Sequence, residues 1–314
     1  MRRFELLLFV AMLIPASSLA DHATQLTSGP AWDYYPRWSH DGGTISFTSN
    51  RTGAPGIFLI PSSGGKPVHL PTGLQGDHHT TWSPDGTLIM FDAYYDNVPD
   101  IWTIPITGGN PTRITTTTYG DAHPNWNVRL NRIAYSALGI RTMKPDGTDV
   151  RTVASNGWHP SWAPDGSKIA YVSEGTGDSE IWIVPSNGGT PVRFTNNPAS
   201  DEQPNWSPDG RWIIFMSDRG GNRDIWIAPV NGGEPKRITD NAANDWYPCI
   251  SPDQTKIVFT SNRAGNLDLW IIDSGLPAYQ TGFHDVRARE TVEPGDHGVG
   301  TLLRGHSGDD FDGR

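Results

Sequence analysis

Apolar and polar side chains alternate along this chain in short bursts. Thr44–Ser49 reads TISFTS, Lys168–Ser173 KIAYVS, Trp212–Ser217 WIIFMS and Lys256–Ser261 KIVFTS. A period of two sets every second side chain on one face, so each burst predicts a β-strand. A second burst follows in each case: DIWTIP from Asp100, EIWIVP from Glu180, DIWIAP from Asp224 and DLWIID from Asp268. A glycine-pair turn then leads to a third, as in PTRIT from Pro111, PVRFT from Pro191 and PKRIT from Pro235.

The bursts recur behind a common anchor segment, itself strand-like. YPRWSHDG, HTTWSPDG, HPNWNVRL, HPSWAPDG, QPNWSPDG and YPCISPDQ carry their second residues at Pro36, Thr80, Pro124, Pro160, Pro204 and Pro248, with spacings of 44, 44, 36, 44 and 44 residues. The DG and GG pairs fall where tight hairpins need positive φ. Four antiparallel strands per unit of this length predict an all-β, six-bladed β-propeller over residues 21–274. The sixth unit lacks a fourth strand. Ala23–Pro36 aligns without a gap on Pro235–Pro248, so Ala23–Thr27 is expected to supply it and shut the ring. Blade 3 departs from the pattern: NVRL at Asn127–Leu130 replaces SPDG, and the unit is eight residues short between its second and third strands. Two tryptophan series, Trp38, Trp82, Trp126, Trp162 and Trp206, then Trp102, Trp182, Trp226 and Trp270, are expected to fill the core between blades. Cys249 replaces one member of the first series and is expected to be buried.

Composition narrows the function. The formal net charge of −10 argues against a nucleic-acid partner. A single cysteine rules out an intramolecular disulfide. Met1–Ala20 combines two arginines, an apolar run and small residues before Asp21, the pattern of a cleavable signal peptide. That run is short for a membrane span, so the expected mature protein is soluble, monomeric, and periplasmic or secreted. Residues 275–314 carry no blade pattern and are expected to form a disordered tail.

The sequence P-x-W-S-P-D-G, then I-x-F-x-S, D-I-W and G-G-x-P-x-R-I-T, resembles the TolB-like propeller, a WD40-like repeat also called PD40, over Ala23–Ser274. TolB carries an α/β domain ahead of its propeller and binds partners in the periplasm. Here the propeller is expected directly after the signal peptide, so the likeness is to the TolB-like propeller rather than to TolB. The same repeats form the propellers of prolyl-oligopeptidase-type peptidases, but no GxSxG or HExxH motif occurs. A third relative implied by the resemblance is the propeller-type oligogalacturonate lyase, which holds manganese in its channel with three histidines and a glutamine.

Reading the repeat by columns isolates one register. The residue before each anchor is Tyr35, His79, His123, His159, Gln203 and Tyr247. Two positions earlier stand Asp33, Asp77, Asp121, Gly157, Asp201 and Asp245; between them lie Tyr34, His78, Ala122, Trp158, Glu202 and Trp246. Preceding proline, the first column is expected to be extended except in blade 2, where Thr80 relaxes the constraint. Two functional readings follow. In the preferred one the protein is a non-enzymatic scaffold, with no required cofactor, that binds a protein or peptide of the cell envelope at the channel mouth through Asp33, Tyr35, Asp77, Asp121, Trp158, Asp201, Asp245 and Tyr247. In the alternative, His79, His123, His159 and the amide oxygen of Gln203 hold a divalent Mn, Zn or Ni ion, with the aspartates orienting the imidazoles from behind, as in a lyase-like enzyme. No residue suited to be that enzyme's base stands out in these columns. A plain scaffold, with rings as filler and aspartates capping turns, competes with both.

Overall fold

In a computed structural model, which describes residues 22–175 and 177–280, six four-stranded antiparallel sheets follow one another along the chain. Their innermost strands are Asp33–Trp38, Gln75–Trp82, Ala122–Asn127, Trp158–Trp162, Asp201–Trp206 and Asp245–Ile250. The expected signal peptide and residues 281–314 lie outside the described residues. Residues 275–280, assigned from sequence to the tail, instead seat on blade 6: Tyr279 N donates to Asp253 O and Gln254 Nε2 to Pro277 O. No helix among the described residues is long and apolar enough to cross a membrane.

The ring closes as the repeat arithmetic requires. Thr24–Gln25 pairs antiparallel with Asp268–Asp273, Thr24 opposite Ile271 and Gln25 opposite Trp270. Leu26 N and Thr27 N both donate to Leu269 O, extending the contact past the short strand.

The core lies between blades rather than inside one, because each sheet must bury both faces. Ile45, Phe47, Phe58 and Ile60 of blade 1 pack on Cys249, Val258 and Leu269 of blade 6. Cys249 is a buried free thiol, as expected. Of the first tryptophan series, Trp82, Trp126, Trp162 and Trp206 are buried, while Trp38 is half-buried and donates Nε1 to Cys249 O across the seam. The second series is less enclosed. Trp102 is buried, but Trp182, Trp226 and Trp270 are half-buried, and Trp226 and Trp270 carry the guanidinium groups of Arg219 and Arg263 on their faces.

The SPDG segments are turns, as read. In blade 1 Asp41 Oδ1 accepts from Ser39 Oγ at 2.5 Å and from Gly43 N at 2.9 Å, and blades 2, 5 and 6 repeat the serine bond. Blade 3 substitutes Asn127, whose Oδ1 accepts from Leu130 N while its Nδ2 donates to Ala163 O of blade 4. Only five of its eight missing residues fall between the second and third strands, where Ile133 pairs with Met143 and Ala137 N bonds to Gly139 O in a minimal connection. This corrects the placement expected from the sequence, since the other three are lost between Arg151–Ala154 and Trp158–Trp162.

Candidate metal centre at the channel end

Every innermost strand carries a β-bulge at the singled-out column. Tyr34 pairs with Thr48 and Arg37 with Ser46, so three steps on one strand oppose two on the other; the other five blades show the same slip. The extra residue is left-handed throughout: φ is 56° at Tyr35, 46° at His79, 55° at His123, 51° at His159, 58° at Gln203 and 54° at Tyr247. This corrects the extended conformation expected from the following proline, and blade 2 is no exception despite Thr80. The bulge overrides the local preference. Proline, lacking an N–H, fits where the ladder is interrupted, and the bulge turns the preceding side chain inward. Left-handed backbone costs a non-glycine residue roughly 1–3 kcal/mol. Since all six blades bear it, the strain belongs to the architecture, and only the choice of side chain is specific.

The six side chains converge. They line one cavity of about 30 Å³ together with Arg37 and the prolines that follow them. Ring centroids run around it in sequence: Tyr247 to Tyr35 4.1 Å, Tyr35 to His79 3.9 Å, His79 to His123 4.2 Å and His123 to His159 4.1 Å. The three histidines offer one ligand nitrogen each, all within 4.8 Å of one another.

Their hydrogen bonds leave lone pairs free. His79 Nδ1 lies 2.9 Å from Asp92 Oδ1, and its Nε2 is buried with no partner. His123 Nδ1 meets Ser136 Oγ at 3.1 Å, and its backbone N–H donates to the same Asp92 oxygen at 3.0 Å. His159 Nδ1 is buried and unpartnered. Burial holds all three imidazoles well below their ordinary pKa, helped by His159 and His79 beside His123, by His79 and the Arg37 charge beside His159, and by His78 and the Arg37 charge beside His79. They are therefore neutral at pH 7, as metal ligands must be. Buried imidazole nitrogens without partners, and a carboxylate fixing one ring, form a donor set that suits a divalent transition ion. Two nitrogens sharing one tetrahedral ion at 2.0–2.1 Å stand about 3.4 Å apart, so a spacing at the 4.8 Å limit would close by about 1.4 Å on binding.

The remaining residues of the register take other places. Gln203 lines the cavity, but its Oε1 accepts from Tyr247 N at 2.7 Å, so the amide oxygen expected as a fourth ligand braces the neighbouring blade. The aspartates are not at the mouth. Asp33, Asp77, Asp121, Asp201 and Asp245 are buried. Arg51, Arg219 and Arg263 each give NH2 to both oxygens of Asp33, Asp201 and Asp245, while Asp77 and Asp121 accept from Thr72 and Thr117. Burial pushes the Asp77 carboxyl up to about 6 and also raises Asp121 and Asp245. These carboxylates tie down the bulged strands; they neither meet a partner nor hold the histidines. Gly157 interrupts their column because a Cβ there would lie 2.4 Å from Tyr171 Cδ2. Trp158 is half-buried at the rim.

The carboxylate that does hold the histidines is Asp92, on the second strand of blade 2, which the column reading passed over. The signal was present. Its column reads Thr48, Asp92, Ser136, Val172, Met216 and Thr260, and the polar members of blades 2 and 3 stand beneath His79 and His123.

Residues 138–281 match the family model described as the TolB beta propeller domain, PD40. Among solved structures, a protein assigned as TolB from Agrobacterium tumefaciens is 25% identical, with 79% of each chain covered and a TM-score of 0.43. An oligogalacturonate lyase from Vibrio parahaemolyticus is 16% identical, covering 81% of this chain and 95% of that one, with a TM-score of 0.55. An oligogalacturonate lyase in complex with manganese is 16% identical, covering 81% of this chain and 94% of that one, also with a TM-score of 0.55. No curated protein matches the chain. Repeat motif and six closed blades together make the described domain a six-bladed β-propeller, and residues 138–281 of it are similar to the TolB propeller built of PD40 repeats.

Proposed function

We propose that this propeller is an exported metal-binding protein whose His79, His123 and His159 hold a divalent transition ion at the channel end, open to a small ligand from the mouth. The observation that carries the reading is three neutral imidazoles from adjacent blades with their ligand nitrogens within 4.8 Å. Asp92 fixes the His79 tautomer by accepting from Nδ1, which leaves Nε2 for the ion. A bound ion would supply Lewis acidity toward an incoming oxygen ligand. Export rests on the signal-peptide pattern of Met1–Ala20.

Binding is favoured over proton abstraction. The cavity is lined by the histidines, Tyr35, Tyr247, Gln203, prolines and Arg37. Burial raises both phenols and lowers the three imidazoles, which moves each of them away from a general base matched to neutral pH. The manganese-bound lyase agrees with the fold carrying an ion, and its chemistry is not carried over. The partner-binding reading keeps one support, the incomplete burial of Tyr34, Trp158 and Trp246 and the exposure of Trp32. The buried aspartates remove its charged component.

Metal analysis of purified protein, with His123→Ala beside it, decides between them. The expected result is about one equivalent of Mn, Zn or Ni retained by the wild type and lost in the variant. Wild-type protein that takes up no ion, with a variant of unchanged stability, would refute the metal reading and favour the aromatic rim as the working surface.

A further inference from the structure

Arg37 occupies a position with a regular duty in this fold. Its counterparts are Thr81, Asn125, Ser161, Asn205 and Cys249. Four of these side chains accept a backbone N–H from the next blade: Thr81 from Trp126, Asn125 from Trp162, Ser161 from Trp206 and Asn205 from Ile250. Arginine has no acceptor and cannot do this. Blade 1 has exchanged a brace between blades for a cation in the channel.

That cation is unpaired. The arginines of the buried pairs, such as Arg51 with Asp33 and Arg219 with Asp201, each meet a carboxylate. Arg37 has no ion pair and no side-chain hydrogen bond among the described residues, and no carboxylate lines its cavity. It shares that cavity, about 30 Å³, with the three histidines. A divalent ion there would add two positive charges beside the guanidinium. The imidazoles are neutral, and Asp92 supplies one negative charge from behind His79. Like charges at close range in a poorly solvated site repel strongly.

We infer that the ion's coordination is completed by a small oxyanion of the carboxylate class, which places one oxygen on the ion and offers the other to the Arg37 guanidinium. The inference rests on the metal-binding reading above. A planar carboxylate suits both contacts, since guanidinium donors match its geometry. Size agrees: a space of about 30 Å³ takes a few small atoms and not a sugar ring. A larger acid would present only its carboxyl group from the mouth. Anion and ion then bind cooperatively, each strengthening the other by the same factor.

Calorimetric titration of metal-free, full-chain protein with Zn(II), in buffer with and without formate, tests this on wild type and Arg37→Met. Formate is expected to tighten Zn(II) about tenfold in the wild type, within the usual range of coupling between sites. The variant is expected to bind Zn(II) at least as well as wild type without formate, because the repulsion is gone, and to show no response to formate. Formate without effect on the wild type, or with equal effect on Arg37→Met, overturns the inference and leaves metal binding standing. A wild type that binds no Zn(II) in either buffer refutes the metal reading itself. If it does so while Arg37→Met binds, the guanidinium fills the place of the ion. Arg37→Gln gives the same comparison should the methionine variant fail to fold.

Discussion

Asp92 is the residue at which stability and ion binding should move in opposite directions. It is 3% exposed, and one oxygen accepts from both His79 Nδ1 and His123 N, at 2.9 and 3.0 Å. Asparagine preserves that acceptor and removes the charge; alanine removes both. Alanine strands two buried donors at about 1–3 kcal/mol each, partly offset by no longer burying a carboxylate, for an expected net loss of about 2–4 kcal/mol. For asparagine the sign follows from the raised pKa of Asp92, caused mainly by burial. An acid whose folded pKa lies above its unfolded value loses stability as pH rises from the unfolded value through the folded one. Metal-free Asp92→Asn should therefore match the wild type in acid and equal or exceed it at neutral pH. Zn(II) affinity should fall 10- to 100-fold, about 1.4–2.7 kcal/mol, because His79 loses its anionic support. Urea denaturation at pH 4 and pH 7, with Zn(II) calorimetry, reads both quantities. An asparagine variant that binds Zn(II) like the wild type, or is as unstable as alanine, would refute the role assigned to this carboxylate.

The histidine trio predicts acid sensitivity. Imidazoles depressed in the fold bind fewer protons than in the unfolded chain, so metal-free stability should drop as pH falls below about 6.5, by up to about 1.4 kcal/mol per pH unit for each histidine. Replacing His159 with Gln should flatten that slope in pH-dependent denaturation; an unchanged slope contradicts the assignment. At the seam, Gln25 gives its amide to Asp268 at 3.1 Å where Arg113, Arg193 and Arg237 ion-pair at 2.5, 2.5 and 2.6 Å in blades 2, 4 and 5. Burial and Asp33 push the Asp268 carboxyl up to about 6. Gln25→Arg should stabilise by about 1 kcal/mol, a rise of about 2–4 °C in Tm by calorimetry, and a lowered Tm would count against the pairing argument. Gly157 and Gly53 share a positive φ, 103° and 100°, but only Gly157 is crowded, its added Cβ falling 2.5 Å from Val172 O. Gly157→Ala should cost about 3 kcal/mol in urea denaturation and Gly53→Ala about 1 kcal/mol; equal losses would show that packing plays no part.

Repeat spacing made the architecture legible because each blade obeys the same two periods, strand alternation and unit length. The seam followed from a gapless alignment of the first strand on the fifth unit's last. The histidine cluster was legible for the same reason: residues in one column of a closed ring must meet. What the column could not convey was burial and backbone state. Asp33 and its counterparts look like a ring of solvated acids, but their partners, Arg51, Arg219 and Arg263, lie 18 residues downstream in the next hairpin, where only pairing register brings them back. The left-handed bulge was hidden because proline's effect on its predecessor is a local preference, whereas the bulge is set by the sheet. Asp92 was missed because its column is apolar or hydroxylic elsewhere, and its partners come from two different blades.

The seam also sets a schedule. Gln25 meets Asp268 across 243 residues of chain, so the contact that shuts the ring cannot form until nearly the whole domain exists. Loop closure over such a span is slow compared with hairpin formation. Five blades and most of the sixth are then in place while the third strand of blade 6, Asp268–Asp273, waits with an open edge. During that interval the edge is free to pair with another chain. The two-residue strand Thr24–Gln25 thus governs when the protein stops being aggregation-prone, and dilution or a tethered N-terminal segment should raise refolding yield more than added stability in any single blade.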